Sequence, residues 1–337
     1  MKNQLHIALL GCGYWGKNLA RNFNSLGVLK VICDPSEAGR VRAAELAPEA
    51  AVESNFEAVF KDPTIDAVAI ATPAETHCQL AIAAMEAGKD VFVEKPLALN
   101  YAEGCEMEKR AQDFGRILMV GHLLEYHPAV LKMRALIADG ELGRINYIYS
   151  NRLNFGKIRT EENALWSFAP HDIAIILRLV GELPIEVTSV GGSYITPNLA
   201  DVTVSNLRFP TGVRAHVFVS WLNPFKEQKL VVVGDKKMAV FDDTSADEKL
   251  VLFDQRVEFD DRSPVLQKGC ATVIEIEADE PLRSECAHFV ECVAEHRVPL
   301  TDGRSGNNVL RVLQACEESL QLNGRPTRLS DLNAPES

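Results

Sequence analysis

The chain has 337 residues and carries 35 lysines and arginines against 47 aspartates and glutamates, a formal net charge of −12. At 47% hydrophobic and 24% charged it has the make-up of a globular protein of about two domains, each able to bury a core. The acid excess excludes a sequence-independent nucleic-acid binder and a binder of anionic membranes, which both need surplus lysine and arginine; a small anionic ligand would need a local cationic site.

Along the first 120 residues short apolar runs alternate with amphipathic stretches, the signature of βαβ units. Strands are expected at 5–10, 29–33, 67–71, 90–93 and 117–120, each nearly continuous in apolar residues, as a parallel sheet covered on both faces requires. Helices are expected at 18–25, where Leu19, Phe23 and Leu26 share a face, at 75–87 before Gly88, and at 101–114 behind Asn100 as cap. Beyond about Arg144 the pattern turns to mostly alternating strands at 145–150, 186–194, 202–209, 213–221, 228–233, 239–241 and 249–253, which read as an open antiparallel sheet. A helix at 170–180 interrupts them, two more at 282–296 and 306–321 follow, and residues 333–337 are expected to fray. No run of eighteen apolar residues predicts a membrane span. The eight cysteines contain no Cys-x-x-Cys pair and no neighbouring histidine ladder, so no metal site is expected, and buried free thiols suit a reducing cytoplasm.

Gly11-Cys12-Gly13-Tyr14-Trp15-Gly16 follows the first strand and precedes the first helix. In that place a G-x-G-x-x-G turn binds a dinucleotide: the first glycine permits the turn, the second lets pyrophosphate approach the backbone, and the third lets helix and strand pack closely. Tyr14 and Trp15 lie within the turn. Asp34 ends the second strand, 23 residues after Gly11, where a carboxylate binds the adenosine ribose diol and repels a 2′-phosphate, favouring NAD over NADP. Thr72 and Pro73 follow the 67–71 strand and are placed to pack along the cofactor. His77, in the first turn of the next helix, serves either cofactor contact or capping. Glu94-Lys95-Pro96 follows the fifth strand, and a lysine there is positioned to relay a proton or to donate to a substrate oxygen.

These residues, together with His171-Asp172-Ile173 further on, resemble in order and spacing the glucose-fructose oxidoreductase/inositol dehydrogenase (Gfo/Idh/MocA) family. The resemblance covers nearly the whole chain. It implies an α/β protein with an NAD-binding Rossmann domain, a doubly wound parallel sheet, at 1–122, and an α+β domain with a large, mainly antiparallel open sheet at 123–337 for substrate binding and oligomerisation. The C-terminal helices could pack back on the first domain. It also implies hydride transfer to NAD from a carbon bearing a hydroxyl, with Lys95 and His171 flanking the reacting carbinol. One departure stands out: many members have an aspartate four residues before this histidine, and here that residue is Ser167.

The segment 151–159 holds Arg152, Lys157 and Arg159 and no acid, and Asn154, Asn163 and Trp166 lie in or just after it. Arginine forks can grip a diphosphate, asparagines can read sugar hydroxyls, and a tryptophan can cover a sugar face. The run is similar to family members that oxidise C3 of UDP-N-acetylglucosamine, or of its uronate, before transamination. That similarity implies a nucleotide-sugar substrate, a downstream aminotransferase and a 3-amino-sugar pathway for lipid A and lipopolysaccharide. Inositol or free-sugar oxidation, and a weakly catalytic NAD-binding sensor, are the alternatives. Tyr126 and His127 in the linker serve either substrate contact or interdomain packing. The family's sheet domain implies a homo-oligomer, a tetramer or a dimer.

Overall fold

The computed structural model describes residues 5–332, so the tail at 333–337 lies outside the described residues. The chain divides into two compact units. The first holds residues 5–126 and Glu280–Leu310, and the second holds His127–Asp279 and residues 311–332.

In the first unit the elements are β1 (Ile7–Leu10), α1 (Gly16–Ser25), β2 (Leu29–Cys33), α2 (Glu37–Leu46), β3 (Ala51–Glu53), α3 (Phe56–Lys61), β4 (Ala67–Ile70), α4 (His77–Glu86), β5 (Asp90–Glu94), α5 (Tyr101–Asp113) and β6 (Leu118–Gly121). The six strands pair in parallel in the order β3-β2-β1-β4-β5-β6. Every residue of β1, β4 and β6 is buried, which is why these strands read as unbroken apolar runs. The chain runs outward from β1 through β2 to β3, then crosses back to β4 on the other side of β1, and the crevice at such a switch point lies at the strands' carboxyl ends.

Helix α1 buries Leu19, Ala20 and Phe23. Phe23 meets Phe92 of β5 edge to face at 6.4 Å. A later helix, Pro281–Glu295, returns to this unit and places Phe289 against both rings, 5.7 Å from Phe92. Each such pair adds about 1 kcal/mol beyond the area it buries. Helices α2 and α3 and strand β3 were not foreseen: α2 buries little besides Gly39 and Ala43, so its sequence shows almost no apolar stripe.

The second unit contains α6 (Pro128–Ala138), β7 (Ile145–Phe155), α7 (Ala164–Val180), β8 (Glu186–Gly192), β9 (Val202–Arg208), β10 (Arg214–Ser220), β11 (Leu222–Gly234), β12 (Met238–Asp242), β13 (Leu250–Asp260) and β14 (Ser263–Val273). The Pro281–Glu295 helix is α8; α9 (Gly303–Gln321) follows, and β15 (Thr327–Arg328) completes a nine-stranded sheet ordered β14-β13-β12-β11-β7-β10-β9-β8-β15. All neighbours in it are antiparallel except β7 and β10. Alternation is visible in β10, where Ala215, Val217 and Val219 are buried beneath α7 while Arg214, His216 and Phe218 face the other way.

Helix α7 starts six residues earlier than expected, because Asn163 caps it by accepting the Trp166 amide at 3.1 Å. Pro170, expected as the first helical residue, lies inside it. The β13–β14 hairpin was only partly foreseen: beyond Phe253 it alternates exposed side chains with charges, and no core pattern marks it.

Candidate active site

The nucleotide turn is built as the crevice requires. Gly11 has φ +89°, and a Cβ there would lie 2.9 Å from the Ala71 carbonyl group. A Cβ on Gly16 would collide with the Gly11 carbonyl oxygen, so β1 and α1 approach as closely as two glycines allow. Nothing lies within 4 Å of a Cβ on Gly13, which faces open space. Tyr14 is exposed, with the Lys17 ammonium 5.2 Å from its ring centroid.

Asp34 accepts the Cys12 amide at 2.7 Å, and the Ser36 amide and hydroxyl at 2.8 and 2.7 Å. Burial would raise its pKa, but the Ser36 hydroxyl, the Cys12 and Ser36 amides and the Arg42 guanidinium outweigh that and leave it below the usual carboxylate range. Gly39 is required there, since a Cβ would strike the Asp34 carboxylate. Arg42 donates to the Cys12 carbonyl, tying α2 to the turn. Ser36, Gly39 and Arg42 were not singled out from the sequence. Their signal was the cap at Ser36 behind Asp34-Pro35, hidden because α2 itself was not foreseen.

His77 does not reach the crevice. It is buried, with Nδ1 2.8 Å from the Pro96 carbonyl oxygen and Nε2 2.9 Å from that of Thr72. It therefore positions the Thr72-Pro73 loop and the Glu94-Lys95-Pro96 turn. Two carbonyl acceptors favour a charged ring, but burial is the larger effect and lowers its pKa below 6.5. Thr72 is fixed further by its hydroxyl contact with Thr76 at 2.6 Å. The Lys95–Pro96 peptide bond is cis.

Glu94 is likewise an inward group. It accepts the Trp15 indole N–H at 2.5 Å and the Lys95 amide at 3.2 Å, joining the nucleotide turn to the lysine. Burial pushes its pKa up to about 7, against the opposing Trp15 and Lys95 interactions. Tyr126 is not a surface group: its hydroxyl lies 3.1 Å from that of Thr301, and its ring lies 5.4 Å from His288 within the first unit. Among the sequence candidates the first unit thus gathers the glycine turn, Asp34, the Thr72 loop and Lys95 at the carboxyl ends of its parallel strands, with Glu94 and His77 beneath.

The second unit carries His171 on α7, one residue before Asp172. Here the structure corrects the cationic reading of 151–159. Arg152, 8% exposed, donates from Nε to Asp172 Oδ2 at 2.7 Å and from Nη2 to Oδ1 at 3.2 Å, and the Ser150 hydroxyl joins Oδ1 at 2.5 Å. This buried fork pins β7 to α7 and leaves no free guanidinium for a diphosphate. Arg159 pairs with Glu161 and Glu162 at 3.8 and 3.0 Å. Asn163 caps α7 and donates to Glu317 at 2.8 Å, so its amide is spent within the unit. Lys157 is exposed and forms no ion pair among the described residues. Asn154 and Trp166 are half-buried, and Ser167 is buried. His127 is buried too, capping α6 through the Ala129 amide and packing its ring at a tilt against Phe241, with centroids 4.8 Å apart.

Comparison with known proteins gives this geometry a family. Residues 5–122 match the oxidoreductase family with an NAD-binding Rossmann fold, and residues 130–240 match the GFO/IDH/MocA C-terminal domain. The chain belongs to the GFO/IDH/MocA family. It is 28% identical to the scyllo-inositol 2-dehydrogenase (NAD(+)) of Bacillus subtilis over 98% of this chain and 97% of that one. It is 29% identical to a 2,7-anhydro-N-acetylneuraminate hydratase of Mediterraneibacter gnavus over 68% of this chain, a match spanning only 65% of the relative. It is 26% identical to the UDP-N-acetylglucosamine 3-dehydrogenase of Acidithiobacillus ferrooxidans over 91% of this chain and 94% of that protein. The solved structure of that dehydrogenase superposes with a TM-score of 0.82, covering 94% of this chain and 98% of the other at 24% identity.

The cofactor of this GFO/IDH/MocA chain is NAD. The crevice residues fit it: a glycine turn with no Cβ obstruction at Gly13 would hold the pyrophosphate, and Asp34 would hold the adenosine ribose, its charge disfavouring a 2′-phosphate. When bound, NAD supplies a hydride acceptor.

Proposed function

We propose that this oxidoreductase uses NAD to oxidise the C3 hydroxyl of UDP-N-acetylglucosamine to the 3-keto sugar. The supporting observation is similarity along 91% of the chain to an enzyme of that name, in a chain that carries both Lys95 and His171. In this reading Lys95 and His171 are each proton-handling groups for the hydroxyl proton, and NAD, when bound, would accept the carbon hydride. Ser167 carries no carboxylate, so the path relies on the lysine and the histidine. Lys157, Asn154 and Trp166 are the proposed sugar-nucleotide contacts; Arg152 and Asn163 support them from within the fold.

The product is a ketone, which an aminotransferase would consume in a 3-amino-sugar route to lipid A and lipopolysaccharide in the cytoplasm. A homo-oligomer, a tetramer or a dimer, is part of the proposal. The sheet face opposite α7 shows Tyr147, Val190, Phe259 and Leu266 to solvent.

Polyol oxidation is the second reading. The pairing of Arg152 and Arg159 favours it, because it removes two of the three cations a diphosphate would use. Incubation with NAD and either UDP-N-acetylglucosamine or scyllo-inositol, with an aminotransferase trap for the ketone, separates the two by which one yields reduced cofactor.

A further inference from the structure

Trp15 stands at the N-cap of α1, but its side chain makes no cap bond there. It reaches across the sheet instead, where the indole Nε1 donates to Glu94 Oε1 at 2.5 Å. Because the strand order runs β1-β4-β5, this bond bridges the carboxyl end of β4. Two strand spacings of ~4.8 Å make that a span of about 10 Å. Tryptophan suits it: the side chain is long and rigid, with two rotatable bonds and an uncharged N–H at its far side.

Glu94 is seated to receive it. It is buried at the end of β5 and pairs with Gly121 of β6, where a Cβ would lie 3.0 Å from Glu94 Oε2, so the carboxyl rests against bare backbone. Oε2 accepts the Lys95 amide at 3.2 Å. One carboxyl thus holds a residue of the glycine turn by one oxygen and the main chain of the lysine by the other. A second route between the same two places exists. A Cβ on Gly11 would lie 3.0 Å from Thr72 Cγ2, His77 Nε2 is 2.9 Å from the Thr72 carbonyl oxygen, and His77 Nδ1 is 2.8 Å from that of Pro96.

The turn itself is lightly packed: Tyr14 and Trp15 are exposed, and nothing lies within 4 Å of a Cβ on Gly13. With no side-chain cap on α1, the amides at its start are open to an anionic acceptor, and a pyrophosphate seated there would fix the backbone of the turn. Binding that orders a loosely packed segment also orders what is bonded to it. We propose that Trp15 is a positioning residue: filling of the glycine turn by a pyrophosphate orders Lys95 through the Trp15–Glu94 bond, before nicotinamide or substrate reaches the lysine. For turnover this rests on the reading that Lys95 handles the hydroxyl proton. The coupling itself involves neither the sugar nor the reaction, so it is tested apart from that reading. Lys95→Met with full turnover would remove the proton role and leave the coupling in place.

The experiment is amide hydrogen exchange by NMR on the full chain carrying isotope-labelled lysine, with the Lys95 signal identified by its loss in Lys95→Met. The probe is ADP-ribose, which has the pyrophosphate and no nicotinamide. The expected result is that saturating ADP-ribose slows exchange of the Lys95 amide about tenfold in the wild-type chain, and less than about threefold in Trp15→Phe. The Lys89 amide, bonded to the Ala84 carbonyl oxygen in the same unit, is the reference and should exchange alike in both chains, which separates a lost link from a general loosening. No binding of ADP-ribose, or no slowing at Lys95 in the wild-type chain, overturns the proposal. So does a tenfold slowing that survives in Trp15→Phe, which would assign the coupling to the His77 route. Should Trp15→Phe fail to fold, Glu94→Ala removes the acceptor instead and carries the same expectation and the same refutation.

Discussion

Arg152 separates a structural from a substrate-binding role most sharply. The guanidinium lies under β7 with its side chain 10% exposed, doubly bonded to an Asp172 carboxylate that is 3% exposed. Arg152→Met would leave Asp172 buried with the Ser150 hydroxyl at 2.5 Å as its remaining strong donor. Breaking a buried pair by removing one partner costs about 3–5 kcal/mol, and the surviving hydroxyl places this case near the lower end, at ~3 kcal/mol. For a unit of this size that lowers the melting temperature by roughly 6–12 °C, at ~2–4 °C per kcal/mol. Replacing both partners, as in Arg152→Met with Asp172→Leu, removes the stranded charge and should recover at least half of the loss. Calorimetric melting of the wild type, the single variant and the double variant measures this directly. A single variant within ~0.5 kcal/mol of wild type, combined with a tenfold rise in KM for a UDP-sugar, would return Arg152 to the substrate and refute the structural assignment.

Further outcomes follow from the crevice. Gly16→Ala drives a Cβ into the Gly11 carbonyl, and titration with NAD should show affinity reduced at least tenfold; retention within threefold would show that the turn relaxes at little cost. Lys95→Met should lower kcat by about 10²–10⁴ while NAD binding changes far less, and unchanged turnover would remove the proposed proton path. His77 has a folded pKa below 6.5, so in acid the unfolded chain binds more protons than the folded one. Its contribution to stability is complete above pH 6.5 and is lost as pH falls below it. Urea melts between pH 5 and 8 should show that loss, and His77→Asn should flatten it; an identical pH slope in the variant contradicts the assignment.

Much of the first unit was legible because its strands are buried on both faces and its glycine turn is conditioned by backbone geometry that sequence records. Gly11 and Gly16 each stand where a Cβ would collide, and Asp34 directly follows the last residue of β2. Legibility failed where a residue type admits two environments. Arg152 looks identical in sequence whether it meets phosphate or Asp172; only the pairing of β7 with α7, set by long-range packing, decides. Asn163 looked like a sugar reader because α7 was expected to begin at Pro170, six residues beyond Ala164, where it starts. The fully buried carboxyl of Glu285 lies in a stretch that reads as an ordinary amphipathic helix, and nothing local reveals that its acid points into the interior.

The central claim, NAD-dependent oxidation of a nucleotide sugar, is tested most directly by following reduced-cofactor absorbance with UDP-N-acetylglucosamine and an aminotransferase trap. The account predicts sustained formation of NADH that depends on Lys95 and is absent with scyllo-inositol. Robust oxidation of scyllo-inositol with none of any UDP-sugar would contradict it.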